Sequence, residues 1–323
     1  MKTPLRIAFL FACLVSAQLA WGQQYPTRSL RWVVPYTPGG ITDAVTRLVA
    51  GKLEASLGQS VVIDNKPGAN SIVGVESVSR AAPDGYTGLT VIAAFAANAT
   101  LYAGKLPYDT VKGFTPISVV GIAPLILTVA NNFPARDMKE FIEYARANPG
   151  KVTFGTSGIG SASHLTMELL AQTANIQMVH IPYKGTAPAL AALMGGEIQV
   201  QVDVPSSMMP HVRAGKIRAL GLFASRRSSG APEVPTLVEA GGPPVEGSTW
   251  VMFLAPAGTP REIVARLSAE TAKVVAMPDI RARFEQLGVE PGGGTPEEAA
   301  RFLDAEIEKW ARVITIAKVK PET

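Results

Sequence analysis

Apolar and polar positions follow two patterns along this chain. Short runs that are apolar at nearly every position predict strands buried on both faces of a sheet. Longer stretches with an apolar residue every three or four positions predict amphipathic helices. The predicted strands are Leu30–Val34, Ser60–Asp64, Gly88–Ile92, Ile117–Val120, Leu125–Val129, Val152–Gly155, Met178–Ile181, Ile198–Val202, Ala219–Phe223 and Trp250–Leu254. The predicted helices are Asp43–Leu57, Ile72–Ala82, Met138–Ala147, Ser163–Ala174, Ala187–Met194, Arg261–Ala276, Pro278–Leu287 and Pro296–Ala317.

The alternation of strands and helices predicts an α/β fold with largely parallel sheets. Two connections, 113–124 and 225–248, are good positions for the chain to pass between domains. If both do so, residues 23–122 and 226–323 form a discontinuous first domain and residues 123–225 form the second. Such a pair of crossings leaves a cleft that closes by a hinge motion.

The stretch Arg31–Leu53 contains a glycine loop between a strand and a helix. Pro38, Gly39 and Gly40 follow the strand, and Thr42 and Asp43 open the helix. Glycines let backbone N–H groups turn toward a ligand, and a helix N-terminus carries partial positive charge. The loop therefore predicts an anion site made without a basic side chain.

A second glycine loop follows the strand at Val152–Gly155 and leads into another helix. Thr156, Ser157, Ser161 and Ser163 supply hydroxyls there, and the glycines expose N–H groups. Because ligands bind at the carboxyl ends of strands in open α/β sheets, we expect the two loops to face one cleft. Asp203 ends another strand, where it is placed to order water or to accept a hydrogen bond from a ligand hydroxyl. The alternative role for Asp203 is to cap a turn expected at Pro205–Pro210.

Residues 1–22 have the features of a secretory signal peptide. Lys2 and Arg6 precede an apolar run that is too short to span a bilayer, and Ala20–Gly22 offers small residues for cleavage after Gly22. Removal of this segment leaves 28 basic against 26 acidic residues, a net charge of about +2, which is no signature of nucleic-acid binding. Cys13 is the single cysteine, so the mature chain has no disulfide, as is compatible with a periplasmic protein.

The motifs of several chemistries are absent or incomplete. Ser157, Ser161, His164 and Asp203 could be combined into a hydrolase triad, but Ile159 stands where the Gly-x-Ser-x-Gly motif needs glycine. No dinucleotide or Walker motif follows either loop. The three histidines are widely spaced and no cysteine accompanies them, so neither a metal site nor a cofactor is expected.

Five segments, in order and spacing, resemble one family of receptors. They are Val34–Gly40 with Asp43 and Arg47, Ala82–Thr87, Phe154–Gly158 with Gly160, His164 and Glu168, Pro182–Gly185, and Ala255–Pro260. The mature chain resembles the solute-binding proteins of tripartite tricarboxylate transporters, also called Bug receptors, over nearly its whole length.

The resemblance implies a type II-like periplasmic binding protein, whose two α/β domains hold a small carboxylate and pass it to membrane permease subunits. Carried over by motif, its ligand contacts are Tyr36, Thr37, Gly40, Thr42, Ala93, Ala94 and Phe95 in the first domain and Thr156, Ser157, Ser161, His164, Gly185 and Asp203 in the second. Ala93–Phe95 has fewer hydroxyls than many relatives, and the residue after Asp203 is not the usual amide.

The sequence therefore predicts a monomeric periplasmic receptor for an organic acid, without catalytic residues. Two alternatives stay open at this stage. One is an exported serine hydrolase that uses Ser157 or Ser161. The other is a receptor that presents its closed form to a signalling partner instead of a permease.

Overall fold

The computed structural model describes residues 25–321, so the predicted signal peptide at residues 1–22 and its cleavage site lie outside the described range. Within that range the strands are β1 (Leu30–Val34), β2 (Val61–Asn65), β3 (Thr87–Val91), β4 (Phe114–Pro124), β5 (Ile126–Ala130), β6 (Val152–Thr156), β7 (Met178–Pro182), β8 (Val200–Asp203), β9 (Ile217–Leu222), β10 (Ser248–Pro256) and β11 (Glu290–Gly293). The helices are α1 (Ile41–Leu57), α2 (Ile72–Ser79), α3 (Ala93–Leu101), α4 (Met138–Ala147), α5 (Ala162–Ala174), α6 (Thr186–Gly195), α7 (Pro205–Arg213), α8 (Arg261–Val275), α9 (Pro278–Gln286) and α10 (Pro296–Ala317).

The strands form two sheets flanked by helices, which confirms the predicted α/β class. The first sheet has the order β11-β4-β10-β3-β1-β2 and the second the order β7-β6-β8-β5-β9. Both sheets are mixed, so the expectation of largely parallel sheets needs correction. The pairs β1–β2, β1–β3, β6–β7 and β6–β8 are parallel, whereas every pair that includes β4, β5 or β10 is antiparallel. These three strands flank the crossings between the sheets, which are not made through βαβ units.

The chain crosses between the sheets at two adjacent places. Leu125 alone separates β4 from β5, and the segment after β9 returns to β10. The two crossings are joined by backbone hydrogen bonds, from Leu125 N to Gly247 O (2.9 Å), from Phe223 N to Leu125 O (2.8 Å) and from Gly247 N to Phe223 O (3.0 Å). The predicted domain limits at 122/123 and 225/226 remain a prediction.

Helix α10 connects the helical layers of both sheets. It packs against α3 and β4 on the first sheet and against α5, which covers the second. Gln172 of α5 donates through Nε2 to the carbonyl of Val313 at 3.2 Å. Thr295 and Glu298 form the capping box that starts this helix. None of the helices within residues 25–321 is long and apolar enough to cross a membrane.

Three elements were not predicted from the pattern. Ala93–Phe95, expected at the end of a strand, begins α3, and a turn expected at Pro205–Pro210 is part of α7. Helix α3 is apolar on all sides and so lacks the helical period, while Pro210 lies inside α7 where it usually ends a helix. Strand β11 has the sequence Glu-Pro-Gly-Gly, which has low strand propensity.

Candidate functional site

Two adjoining cavities lie between the sheets. The inner cavity has a volume of ≈ 280 Å³ and the outer one ≈ 640 Å³. Five residues, Tyr36, Ile41, Thr186, Asp203 and Val204, line both cavities. We call the two spaces together the cleft, because the first-sheet loops after β1, β2 and β3 face the second-sheet loops after β6, β7 and β8 across it.

Nine of the thirteen predicted contact residues line the cleft. The inner cavity contains Tyr36, Ala94, Ser157, Ser161 and Asp203. The remaining four, at the outer cavity, are Thr37, Gly40, Thr42 and Gly185. Both glycine loops therefore reach one space, and whether each residue binds the ligand stays a prediction.

The other four predicted contacts, Ala93, Phe95, Thr156 and His164, do not line either cavity. Phe95 lies in the apolar core, stacked at 6.3 Å on Tyr108. Ala93 is buried in the same core. Thr156 and His164 are buried behind the second glycine loop. Both are placed to support the loop, and whether either contacts a ligand stays a prediction.

A pair of stacked histidines packs behind the second glycine loop and supports it. The rings of His164 and His180 lie 3.7 Å apart at 14°, and Phe154 stacks on His180 at 5.0 Å. Gly160 N donates to His164 Nδ1 at 3.1 Å, which assigns the proton of the neutral ring to Nε2, facing Glu168 Oε1 at 3.6 Å. Thr156 Oγ1 meets His180 Nε2 at 2.7 Å.

His180 is held in its neutral form. Burial, helped by the neighbouring His164, lowers the pKa of His180 to about 3. Its contacts with Thr156, Phe154 and His164 are those of a structural histidine.

In the first glycine loop the acidic residue faces away from the cleft. Asp43 Oδ2 accepts hydrogen bonds from Gly39 N (3.0 Å) and Arg47 Nε (2.9 Å), and Oδ1 accepts one from Asn65 Nδ2 (2.9 Å). Burial raises the pKa of the Asp43 carboxyl, but these hydrogen bonds outweigh it and the net pKa is lowered. The carboxylate is thus used within the loop, where it does not repel a bound anion.

Six helices begin at the cleft. Residues at the N-termini of α3 and α5 line the inner cavity, and so does Asn70, two residues before the start of α2. Residues at the N-terminus of α1 line chiefly the outer cavity, and those of α6 and α7 border both. Only α5 has a side-chain cap, in which Ser161 Oγ accepts from His164 N at 3.3 Å. The N-cap residues of the other five are Gly40, Ser71, Ile92, Gly185 and Val204, and none of their side chains caps the helix. Each N-terminus contributes about half a positive charge and unpaired N–H groups.

Charged side chains are few among the cleft residues that the structure describes. Asp203 is the acid, the exposed Lys184 at the outer cavity is the base, and no arginine is present. Tyr36 adds a buried hydroxyl that makes no hydrogen bond of ordinary geometry, although Ser71 and the Ile92 backbone lie beside it. Burial raises the pKa of this phenol, which therefore stays neutral.

Several cleft residues were not predicted as contacts. The polar ones at the inner cavity are Asn70, Ser163, Thr186 and Thr249. Asn70 had a usable signal, because it lies in a glycine loop between a strand and a helix, as the two recognised loops do. Ser163 and Thr186 each lie at a helix start next to a predicted contact. Thr249, inside an apolar strand, had no signal in the sequence.

The serine-hydrolase alternative finds no support in the loop geometry. Ser161 Oγ donates to the carbonyl of Gly158 at 2.7 Å and contacts Ser163 Oγ at 3.0 Å. The imidazole of His164 is engaged with Gly160 and Glu168 behind the loop, and its ring does not line either cavity. Within residues 25–321, no group of three or more histidine, cysteine or acidic side chains is arranged to hold a metal ion.

Comparison with known proteins gives the family. Residues 45–319 match the model of the tripartite tricarboxylate transporter family receptor. The periplasmic binding protein BugD has a similar structure, with a TM-score of 0.78 and 33% identity over 92% of this chain and 100% of that one. An R. palustris protein solved with adipate has a TM-score of 0.82 and 34% identity, over 92% of this chain and 100% of that one. MatC from Rhodopseudomonas palustris, solved with bound malate, has a TM-score of 0.78 and 33% identity, over 90% of this chain and 100% of that one.

These matches extend over nearly the whole described structure and include both sheets. They confirm the resemblance that the sequence motifs indicated, and this chain belongs to the tripartite tricarboxylate transporter receptor family.

Proposed function

We propose that this receptor captures a small organic carboxylate in the cleft and delivers it to the permease subunits of a tripartite transporter. The observation that carries the proposal is the convergence of six helix N-termini on a cleft that is lined by no arginine within residues 25–321. Oriented N–H groups and hydroxyls bind a carboxylate without a full counter-charge. The similar structures with adipate and malate support the same ligand class.

We further propose that the chain acts in the periplasm as a monomer after removal of residues 1–22, and that it has no catalytic activity. The likeness to the periplasmic binding protein BugD supports the location. The engaged hydroxyl of Ser161 and the buried ring of His164 support a receptor instead of a hydrolase.

A ligand screen on the mature protein tests the proposal. Native mass spectrometry first identifies any acid that purifies with the chain. Thermal denaturation is then followed with C4–C6 mono-, di- and tricarboxylates, amino acids and aromatic acids. A ligand that binds only the folded state raises the melting temperature in proportion to the logarithm of its concentration above Kd. If no acid produces this increase, the proposed function is wrong.

Ser157→Ala locates the ligand within the cleft. Ser157 lines the inner cavity at the second glycine loop. Loss of a hydrogen bond to a charged group weakens binding by ~1.5–3 kcal/mol, about 10- to 150-fold in Kd. Ser79→Ala is the matched control, because the Ser79 hydroxyl bonds the Glu76 carbonyl in α2 instead. Equal affinity of the two variants, measured by calorimetry, would show that the ligand lies elsewhere.

A further inference from the structure

Asp203 occupies the boundary between the two cavities. It is the last residue of β8, it is 9% exposed, and it lines both the inner and the outer space. A ligand that extends from one cavity into the other therefore passes this carboxylate.

The hydrogen-bond partners of Asp203 leave part of its capacity unused. Thr186 Oγ1 donates to Oδ2 at 2.6 Å, and Val204 N donates to Oδ1 at 2.8 Å. A carboxylate accepts about four hydrogen bonds, so roughly two acceptor positions remain. In the described part of the chain Asp203 forms no ion pair, although Lys184 borders the same outer cavity.

A ligand acid that has no hydrogen-bond donor for Asp203 is unfavourable in this arrangement. Burial raises the pKa of Asp203, and the hydrogen bonds from Thr186 and Val204 offset only part of that effect. When a carboxylic acid enters the cleft it displaces water from Asp203 and brings a negative charge near it. A ligand hydroxyl or ammonium group that donates to Asp203 replaces the lost water, and an ammonium group also balances the charge.

We infer that the ligand of this receptor carries a hydroxyl or ammonium group that donates to the free acceptor positions of Asp203, so that its substrates are hydroxy acids or amino acids. This inference rests on the proposed function and narrows it. The N–H groups of the helix N-termini bind the ligand carboxylate, whereas Asp203 selects for the donor attached to the same molecule.

Matched acids on one carbon skeleton test the donor directly. The sets are succinate, malate, aspartate and oxaloacetate; butanoate, 2-hydroxybutanoate, 2-aminobutanoate and 2-oxobutanoate; and phenylacetate, mandelate, phenylglycine and phenylglyoxylate. In each set the parent acid has no substituent, and the keto acid has an oxygen that only accepts. Comparison of the hydroxy and amino members distinguishes the two sources of the donor.

We expect the hydroxy or amino acid of at least one set to bind the wild-type receptor tenfold or more tightly than both its parent and its keto analogue. A site built to hydrogen-bond a donor rejects analogues that lack it. A preference below tenfold in every set that binds overturns the inference and leaves the proposed function standing. If no acid of the sets binds and the ligand screen finds only carboxylates without a hydroxyl or ammonium group, the inference is overturned and the proposed function stands. The proposed function fails only if no acid of the whole screen binds.

Asp203→Asn then tests whether Asp203 is the acceptor. The amide keeps one oxygen for Val204 or Thr186 but loses the charge and half of the acceptor capacity. We expect the preference for the donor-bearing acid to fall at least threefold in this variant. A smaller change would overturn the inference, because a residue other than Asp203 would then accept the hydrogen bond from the ligand. The preference is a ratio of two Kd values measured on the same variant, so a general loss of stability does not imitate the result. If the variant does not fold, the comparison of the matched acids on the wild-type receptor still decides the inference.

Discussion

At the scale of single residues, Glu306 is a buried acid held by two tryptophans. Its Oε2 accepts hydrogen bonds from Trp250 Nε1 (2.9 Å) and Trp310 Nε1 (2.8 Å), and Lys309 Nζ donates to Oε1 at 3.2 Å. Trp250 belongs to β10 and follows Thr249, which lines the cleft. The carboxylate thereby fastens α10 to the sheet that forms one wall of the cleft.

Glu306→Ala should lower the free energy of unfolding by about 2–4 kcal/mol, because it leaves two buried indole N–H groups without an acceptor. Glu306→Gln should have a smaller effect, since the amide oxygen still accepts from both rings. Urea denaturation followed by tryptophan fluorescence measures these changes. The control is Glu308→Ala, on the exposed side of α10, for which we expect a change within about 0.5 kcal/mol. A Glu306→Ala variant as stable as this control would contradict the assigned role.

At the scale of elements, the strand–loop–helix units were the most predictable part of the chain. The strands β1 and β6, the glycine loops after them and the helices α1 and α5 were all expected within a few residues of where they lie. Their signals are local, because glycines, capping residues and apolar periods act over one or two turns. The same local reasoning identified the two loops that face the cleft.

The contacts that depend on distant parts of the chain could not be predicted. Phe95 was predicted as a ligand contact, and in the fold α3 packs its ring against Tyr108 and Phe114 in the core. His164 was a plausible ligand contact from its place beside a glycine loop, yet His180 on β7 stacks on its ring and holds it behind the loop. Neither partner is near in sequence, so periodicity and capping signals carry no information about them.

The stacked histidines make the contact between α5 and β7 sensitive to pH. The pKa of His180 is about 3 in the fold and about 6.5 in an unfolded chain. Above pH 6.5 neither state binds this proton, whereas between pH 6.5 and about 3 only the unfolded state does. The folded state therefore loses stability as the pH falls through this range, by up to about 1.4 kcal/mol per pH unit. The titratable groups beside His180 are its partner His164 and, on the far side of that ring, Glu168, whose Oε1 faces His164 Nε2.

His180→Gln should reduce this pH dependence. We expect the free energy of unfolding, measured by urea denaturation between pH 4 and pH 7, to fall less steeply with acidification in the variant than in the wild type. Carboxylates elsewhere contribute equally to both slopes, so the difference reports His180. His211→Gln, on α7 and away from the stacked pair, is the control and should keep the wild-type slope. Equal slopes for His180→Gln and wild type would contradict the assignment.

At the scale of the whole molecule, we expect ligand capture to depend on how closely the two sheets approach each other. The two adjacent crossings at Leu125 and at Phe223–Gly247 are joined by backbone hydrogen bonds. We expect the two sheets to move relative to each other about these crossings. The second glycine loop also approaches the first-sheet helix α3. Gly160 lies there with φ = 74°, and a Cβ atom added to it would stand 2.7 Å from Leu101 Cδ2.

Gly160→Ala should therefore hold the sheets apart and weaken ligand binding by about tenfold, equivalent to ~1.4 kcal/mol. Gly150→Ala separates this effect from backbone strain, because Gly150 has a similar φ of 70° and nothing within 4 Å of an added Cβ. Leu101→Ala combined with Gly160→Ala should restore part of the affinity by removing the side chain that the new methyl meets. Calorimetric titration with the acid found in the ligand screen measures all three variants. If Gly160→Ala and Gly150→Ala bind equally well, the contact between the second glycine loop and α3 does not limit closure.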